Sequence, residues 1–238
     1  LKKLIKLNAN IVGVCTLKKS TFNSDHKDLT PICIKNKIPI HYDPDLNSDN
    51  SLKWIKMLVP DIIFCFGWSR ILKEKMLHIA PMGVLGYHPS ALPANRGRHP
   101  LIWSLVLGLN KTASTFFFMD ESADSGDILS QTSIKINNDD DARMLYCRMV
   151  ETAESQIEEF LPLLESRNFK TVTQDHNKAN IWRKRSTVDG NIDLLMSARA
   201  IYKILRVLSN PYVGAHFVFD CKIIKVWKAK VVQCTVNN

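Results

Sequence analysis

Asp61-Ile62-Ile63-Phe64-Cys65-Phe66-Gly67-Trp68 and, further along, Gly83-Val84-Leu85-Gly86-Tyr87-His88-Pro89-Ser90 are the stretches that decide the fold. Each is a short apolar run bounded by turn formers, with Val59-Pro60-Asp61 leading into the first and Pro89-Ser90 closing the second. Continuous apolar runs of this length read as strands buried on both faces. Residues 51–58 ahead of the first run carry Leu52, Ile55 and Leu58 at helical spacing, and residues 69–79 between the runs carry Ile71, Leu72 and Leu77. Strands alternating with helices argue for an α/β protein with a doubly wound, mostly parallel sheet. Ile11-Val12-Gly13-Val14-Cys15 reads as a further buried strand. The basic, amphipathic residues 1–7 read as a short helix, so we expect a domain whose first strand precedes residue 1.

Downstream, 101–107 reads as a helix and 114–119 as a strand, followed by the acidic loop Asp120-Glu121-Ser122-Ala123-Asp124-Ser125-Gly126-Asp127. Residues 141–164 form a long amphipathic pattern with Met144, Leu145, Met149, Ile157, Phe160 and Leu164 on its core face. From about residue 176 the texture changes to short polar turns, one helix near 197–208 and a β-like tail at 216–232. The expected division is a larger unit over 1–175 and a small C-terminal α+β extension over 176–238.

Of the 238 residues, 45% are hydrophobic and 23% charged, which excludes disordered and fibrous classes. No apolar run approaches the ~20 residues of a membrane span, so no membrane partner is expected. The six cysteines form no CxxC pair and most sit in apolar surroundings, which favours free thiols in a reducing compartment, no metal, and a cytoplasmic location. The net charge of +9 is spread along the chain without a block of like charge, so small anionic ligands account for it as well as RNA does.

In open α/β sheets, ligands bind beyond the carboxyl ends of the strands, which places Phe66-Gly67-Trp68 and Tyr87-His88-Pro89 on one rim. A lone histidine there is more often structural than catalytic, and a loop like that around Asp124 and Gly126 is usually only a turn. Arg96 and Arg98 have the planar fork that grips phosphate oxygens, or they decorate a solvated loop. Trp68 and Trp103 could stack on ligand rings, although core packing is the commoner use.

Read together, these residues narrow the choice. Gly86-Tyr87-His88-Pro89-Ser90-Ala91-Leu92-Pro93-Ala94-Asn95-Arg96-Gly97-Arg98 resembles the Asn-x-His-x-Ser-x-Leu-Pro-x-x-x-Gly signature of folate-dependent formyltransferases. Met119-Asp120-Glu121 and Asp124-Ser125-Gly126-Asp127-Ile128 follow in the family's order. Arg183-Lys184-Arg185, Asp189-Gly190-Asn191-Ile192-Asp193 and Pro211-Tyr212-Val213-Gly214-Ala215 resemble the tail shared by methionyl-tRNA formyltransferases and nucleotide-sugar N-formyltransferases. The resemblance implies a Rossmann-like formyltransferase core over 1–175 that takes N10-formyltetrahydrofolate as formyl donor, with no metal. By the same resemblance His88 and Asp124 are catalytic, the pterin lies against Phe66, Gly67, Trp68, Asp120 and Ala123, and the acceptor meets Asn95, Arg96, Arg98, Trp103 and Tyr212.

The chain departs from the signature at Gly86, where the family has Asn. Residues 86 and 88 share one face of a strand, so Tyr87 cannot supply the missing amide. A pocket is therefore expected to open beside His88, with Asn95 as a replacement donor or a slow or silent site as the alternatives. Only Gln233 to Asn238 follow Val232, from which a separate tRNA-gripping domain is expected to be absent. The expected acceptor is thus the amine of a nucleotide-linked amino sugar, with a truncated methionyl-tRNA formyltransferase or a non-catalytic binding relative as alternatives, and a homodimer left open.

Overall fold

Parallel pairing organises the first half of the chain. The computed structural model describes residues 1–19, 26–68, 70–208 and 214–232. In order come α1 (Lys2–Lys6), β1 (Val14–Thr16), α2 (Thr30–Lys35), β2 (Ile40–Tyr42), α3 (Asp49–Leu58), β3 (Ile63–Cys65), α4 (Glu74–Leu77) and β4 (Val84–His88). β1 pairs in parallel with β2, and β3 in parallel with β4, each pair joined through a helical crossover as parallel strands require. β5 (Arg96–Gly97), α5 (Pro100–Val106), β6 (Lys111–Phe118), β7 (Ile128–Lys135) and α6 (Ala142–Glu165) complete the core. The main sheet runs β3-β4-β6-β7, with β6 antiparallel to both of its neighbours. This is the α/β, Rossmann-like class expected. The antiparallel half follows from the short link between β6 and β7, which no parallel crossover could span.

Three elements differ from the sequence reading. Of the described residues within 69–79 only Glu74–Leu77 is helical. Asn47 holds the preceding chain, donating through Nδ2 to Ile71 O (3.0 Å) and accepting from Lys73 N–H (2.7 Å). β7 was not read as a strand because its middle, Ser130 to Ser133, is polar while only Ile128 and Ile134 are buried. The apolar run at 11–15 becomes a strand only from Val14, and β1 pairs with β2 alone among the described residues.

α6 starts where Asp141 accepts from Met144 N–H at 2.7 Å, an N-cap that satisfies one orphan donor. Its face of Leu145, Met149, Ile157, Phe160 and Leu164 is buried, whereas Met144, expected on the same face, is exposed. Phe116 on β6 lies between the rings of Tyr87 and Phe160, each 4.9 Å away, with Phe66 at 5.6 Å. Burial of such a side chain contributes roughly 1.5–3 kcal/mol. α1 docks Leu4 into the same cluster, and Lys3 pairs with Glu158 of α6.

The C-terminal segment adds β8 (Ile181–Trp182), which pairs with β5, then α7 (Ala198–Val207) and the hairpin of β9 (Ala215–Phe219) and β10 (Lys222–Val226). Leu205 and Val207 of α7 share a core with Leu101 and Leu105 of α5 and Leu145 of α6. The described cysteines, 15, 33, 65, 147 and 221, are all free thiols, and burial pushes Cys65 up to about 12. No described helix is long and apolar enough to cross a membrane.

Candidate active site

The pairing β3-β4-β6 carries His88 to the carboxyl end of β4, opposite Thr115, where it is 5% exposed. The chain then turns sharply and is pinned from beneath. Thr115 Oγ1 donates to Ser90 O (2.6 Å), and Gln131 Nε2 donates to Leu92 O (2.9 Å). Asn95 adopts a left-handed backbone (φ 66°) that aims its carbonyl back at the strand. That carbonyl accepts from Ser90 Oγ (3.0 Å) and from His88 Nε2 (2.9 Å). A carbonyl only accepts, so His88 Nε2 carries a proton. His88 Nδ1 faces Asp124 Oδ2 at 3.6 Å, just beyond hydrogen-bonding distance.

Asp124 arrives on a loop that leaves β6 and returns as β7. Phe118 N–H donates to Asp127 O (2.8 Å) across the neck. Gly126 lies so close to β6 that a Cβ there would stand 1.8 Å from Phe118 O. Asp120 Oδ1 accepts from Ser122 N–H (3.0 Å) and Ser125 Oγ (2.5 Å), tying the loop to itself. Asp124 also has a left-handed backbone (φ 55°), a conformation that persists in a non-glycine residue only where its surroundings impose it. Its Oδ2 accepts from Gly97 N–H at 2.9 Å.

The other expected site residues divide into groups. Arg96, expected on phosphate, is corrected: it is 7% exposed and turned inward, its Nη2 donating to Gln174 Oε1 (2.7 Å) and His176 Nδ1 (3.1 Å). The pairing of β5 with β8 aims the side chain into the protein. Arg98 is exposed. Trp103 is already engaged: its indole N–H donates to Arg183 O (2.9 Å), Trp182 lies 6.2 Å away, and the guanidinium of Arg185 stands 4.7 Å over its ring. Phe66 joins the aromatic cluster of Tyr87 and Phe116, whereas Gly67 is exposed. Trp68 packs on the cluster of Leu72 and Met76, with a buried indole N–H that has no partner among the described residues. Asp120 and Ala123 are exposed on the loop, and Asp120 and Glu121 line a cavity of about 570 Å³ with residues 77, 78 and 80–84, Phe118 and Met119. Tyr212 lies outside the described residues.

The pocket expected beside His88 is not there. A Cβ on Gly86 would meet Met119 Cγ at 2.8 Å and the Phe117 ring at 3.1 Å, because Phe117 lies directly opposite Gly86 in the ladder. Restoring the family's residue by Gly86→Asn should therefore not speed the enzyme. Overfilling of this kind costs about 1–3 kcal/mol, and the new amide would be buried against apolar neighbours. We expect a lower melting temperature and unchanged or reduced turnover. A rate gain of ~10-fold, about 1.4 kcal/mol of transition-state stabilisation, would show instead that the natural site is crippled and that Asn repairs it.

Gln174, Thr115 and Gln131 escape the sequence reading. Each is a common residue in an unremarked position, and only the folded contacts give it a role.

The fold is Rossmann-like, and at the rim of its sheet the motif sets a buried histidine opposite a carboxylate. The comparisons name the family. The Formyl transferase model matches residues 2–161, and a model of the Formyl transferase C-terminal domain matches residues 184–238. The chain is 34% identical over 235 residues to the bifunctional polymyxin resistance protein ArnA of Wigglesworthia glossinidia brevipalpis, covering 96% of this chain but only 35% of that protein. It is 31% identical over 237 residues to the methionyl-tRNA formyltransferase of Clostridioides difficile (strain 630), covering 98% of this chain and 76% of that enzyme. A sugar N-formyltransferase structure from Shewanella sp. FDAARGOS_354 has the same fold, with a TM-score of 0.74 at 18% identity over 98% of this chain and 93% of that one. The chain belongs to the formyl transferase family.

Proposed function

We propose that this chain transfers a formyl group from N10-formyltetrahydrofolate to the amine of a nucleotide-linked amino sugar. The observation that supports a phosphate-bearing acceptor is the charge beside the Asp124 loop. His99 follows Gly97 and Arg98, and its pKa is lowered by burial and by the cations Lys184, Arg98 and Arg185. The acid that opposes them, Asp189, is held well below the usual carboxylate range by its hydrogen bond from Arg183. Such a surplus of positive potential suits a diphosphate, and it lies two residues from the Gly97 N–H that holds Asp124.

The residues fit the donor as well. The indole N–H of Trp68, without a partner among the described residues, would be satisfied by a pterin acceptor, and residues 120–123 of the loop are exposed. When bound, the folate supplies the formyl carbon. The acceptor nitrogen attacks that carbon, the bond from carbon to the folate nitrogen breaks, and the amine proton must leave. His88 and Asp124 take that proton and return it to the departing folate nitrogen, the carboxylate balancing the transient charge on the ring. With Gly86 bare, Asn95 is the residue we assign to the formyl oxygen, because its side-chain amide makes no hydrogen bond among the described residues and adjoins the carbonyl held by His88.

The test is a mass-detected assay with a panel of nucleotide-linked amino sugars and, in parallel, methionyl-tRNA. Formyl gain on a sugar, with a KM for it that rises in Arg98→Ala and Arg185→Ala, supports the reading. An anion beside His99 raises its depressed pKa, so sugar binding should take up a proton and tighten as pH falls. Formyl gain on methionyl-tRNA alone overturns the sugar in favour of the second reading, which the 31% identity to the Clostridioides difficile enzyme favours.

A further inference from the structure

Arg96 and Asp124 are linked through a residue to which nothing above assigns a role. Gln174 is 4% exposed and sits between them. Its Oε1 accepts from Arg96 Nη2 at 2.7 Å, and its Nε2 donates to Asp124 O (3.0 Å) and Gly126 O (2.6 Å). The orientation of this amide is not arbitrary. A guanidinium only donates and the two carbonyls only accept, so oxygen must face Arg96 and nitrogen must face the loop.

Arg96 is itself anchored. Its backbone N–H donates to Asn180 O at 3.0 Å, and Arg98 N–H donates to Trp182 O at 3.0 Å, so β5 is fixed to β8 on either side of Gly97. Two adjacent residues of β5 thus grip one residue of the loop. Gly97 N–H holds the Asp124 carboxylate, and Arg96, through Gln174, holds the Asp124 main chain. The left-handed backbone of Asp124 needs this kind of double restraint.

We propose that Gln174 is a positioning residue for formyl transfer: clamped by Arg96, it fixes the main chain of the Asp124 loop so that the carboxylate stays opposite His88. This rests on the catalytic reading of His88 and Asp124. It also gives buried Arg96 a role as the anchor of the loop, in place of the phosphate contact expected from the sequence.

Gln174→Glu is the informative change, because it is isosteric and adds an attraction to Arg96. It also sets a carboxylate oxygen against the carbonyls of Asp124 and Gly126, where a donor stood. Gln174→Met, which keeps the length and removes both polar ends, is the second variant in case the first does not fold. We expect either variant to lower kcat by at least ~10-fold while KM for donor and acceptor stays within about two-fold, since Gln174 is buried and both ends of its amide are used within the protein. In an Asp124→Asn background the extra loss should vanish, because a residue that acts through Asp124 has nothing left to position, whereas an independent structural role would add in full. Thr171→Val, which removes an exposed contact to Asp127 Oδ2 at 3.2 Å from the same segment, should leave kcat within about two-fold.

A readout without activity separates this inference from the one beneath it. Amide hydrogen exchange across residues 119–127 should quicken in both Gln174 variants whether or not any acceptor is turned over. If the wild-type protein transfers formyl to no acceptor, the proposed function fails, and exchange alone decides here. Unchanged exchange, wild-type kcat in both variants, or a full-sized additive loss in the Asp124→Asn background overturns the role of Gln174.

Discussion

Asp124→Asn is expected to lower turnover by at least ~100-fold with the fold intact, and His88→Ala by a similar factor. The asparagine preserves volume, and its oxygen can still accept from Gly97 N–H, so the loop need not move. What disappears is the negative charge 3.6 Å from His88 Nδ1, and with it the group that balances a proton on the ring. Removing the imidazole instead leaves the Asn95 carbonyl with Ser90 Oγ as its remaining side-chain donor and Asp124 facing a cavity. Because the two groups act as one unit, the double variant should be little worse than the poorer single one. Steady-state rates on purified protein, with circular dichroism to confirm folding, check all three. Near-normal turnover in either single variant would remove the pair from the chemistry.

The parts of this site that were legible in the sequence are those written in local pattern. The apolar run into His88 announces a buried strand and, with it, a side chain delivered to the rim of the sheet. The motif around Asp124 announces a loop. What the sequence did not disclose is the direction in which side chains point once short strands pair. Arg96 looks like a phosphate ligand because its planar fork fits phosphate oxygens, yet two residues of pairing between β5 and β8 turn it inward. Gly86 looks like the floor of an open pocket, but antiparallel register sets Phe117 directly across from it, and Met119 fills the rest. β7 was missed for a related reason. Its polar middle satisfies buried partners, as where Ser130 Oγ accepts from Gln156 Nε2 at 2.8 Å, so the strand lacks the apolar alternation that marks one in a sequence.

Gly126→Ala should be nearly as damaging as losing the carboxylate, although residue 126 takes no part in the chemistry. An added Cβ would stand 1.8 Å from Phe118 O and 3.0 Å from Phe118 C, and both are backbone atoms of a paired strand that cannot rotate aside. The loop must therefore lift. It is held at its neck by Phe118 N–H on Asp127 O and at its crown by Gln174 on Gly126 O, so a shift at 126 is carried to Asp124. A misplacement of ~1 Å in a catalytic group costs on the order of 100-fold in rate, and the overpacked contact adds about 1–3 kcal/mol of instability. Gly108 provides the comparison, because its φ of 67° strains an alanine while its nearest neighbour, Lys203 Nζ, is 3.9 Å away. Gly108→Ala should thus cost roughly 1 kcal/mol of stability and no turnover. The pair of variants separates loss of stability from loss of loop position. If Gly126→Ala melts lower but turns over like wild type, the loop can yield without moving the carboxylate, and the account of Asp124 as a rigidly held partner of His88 fails.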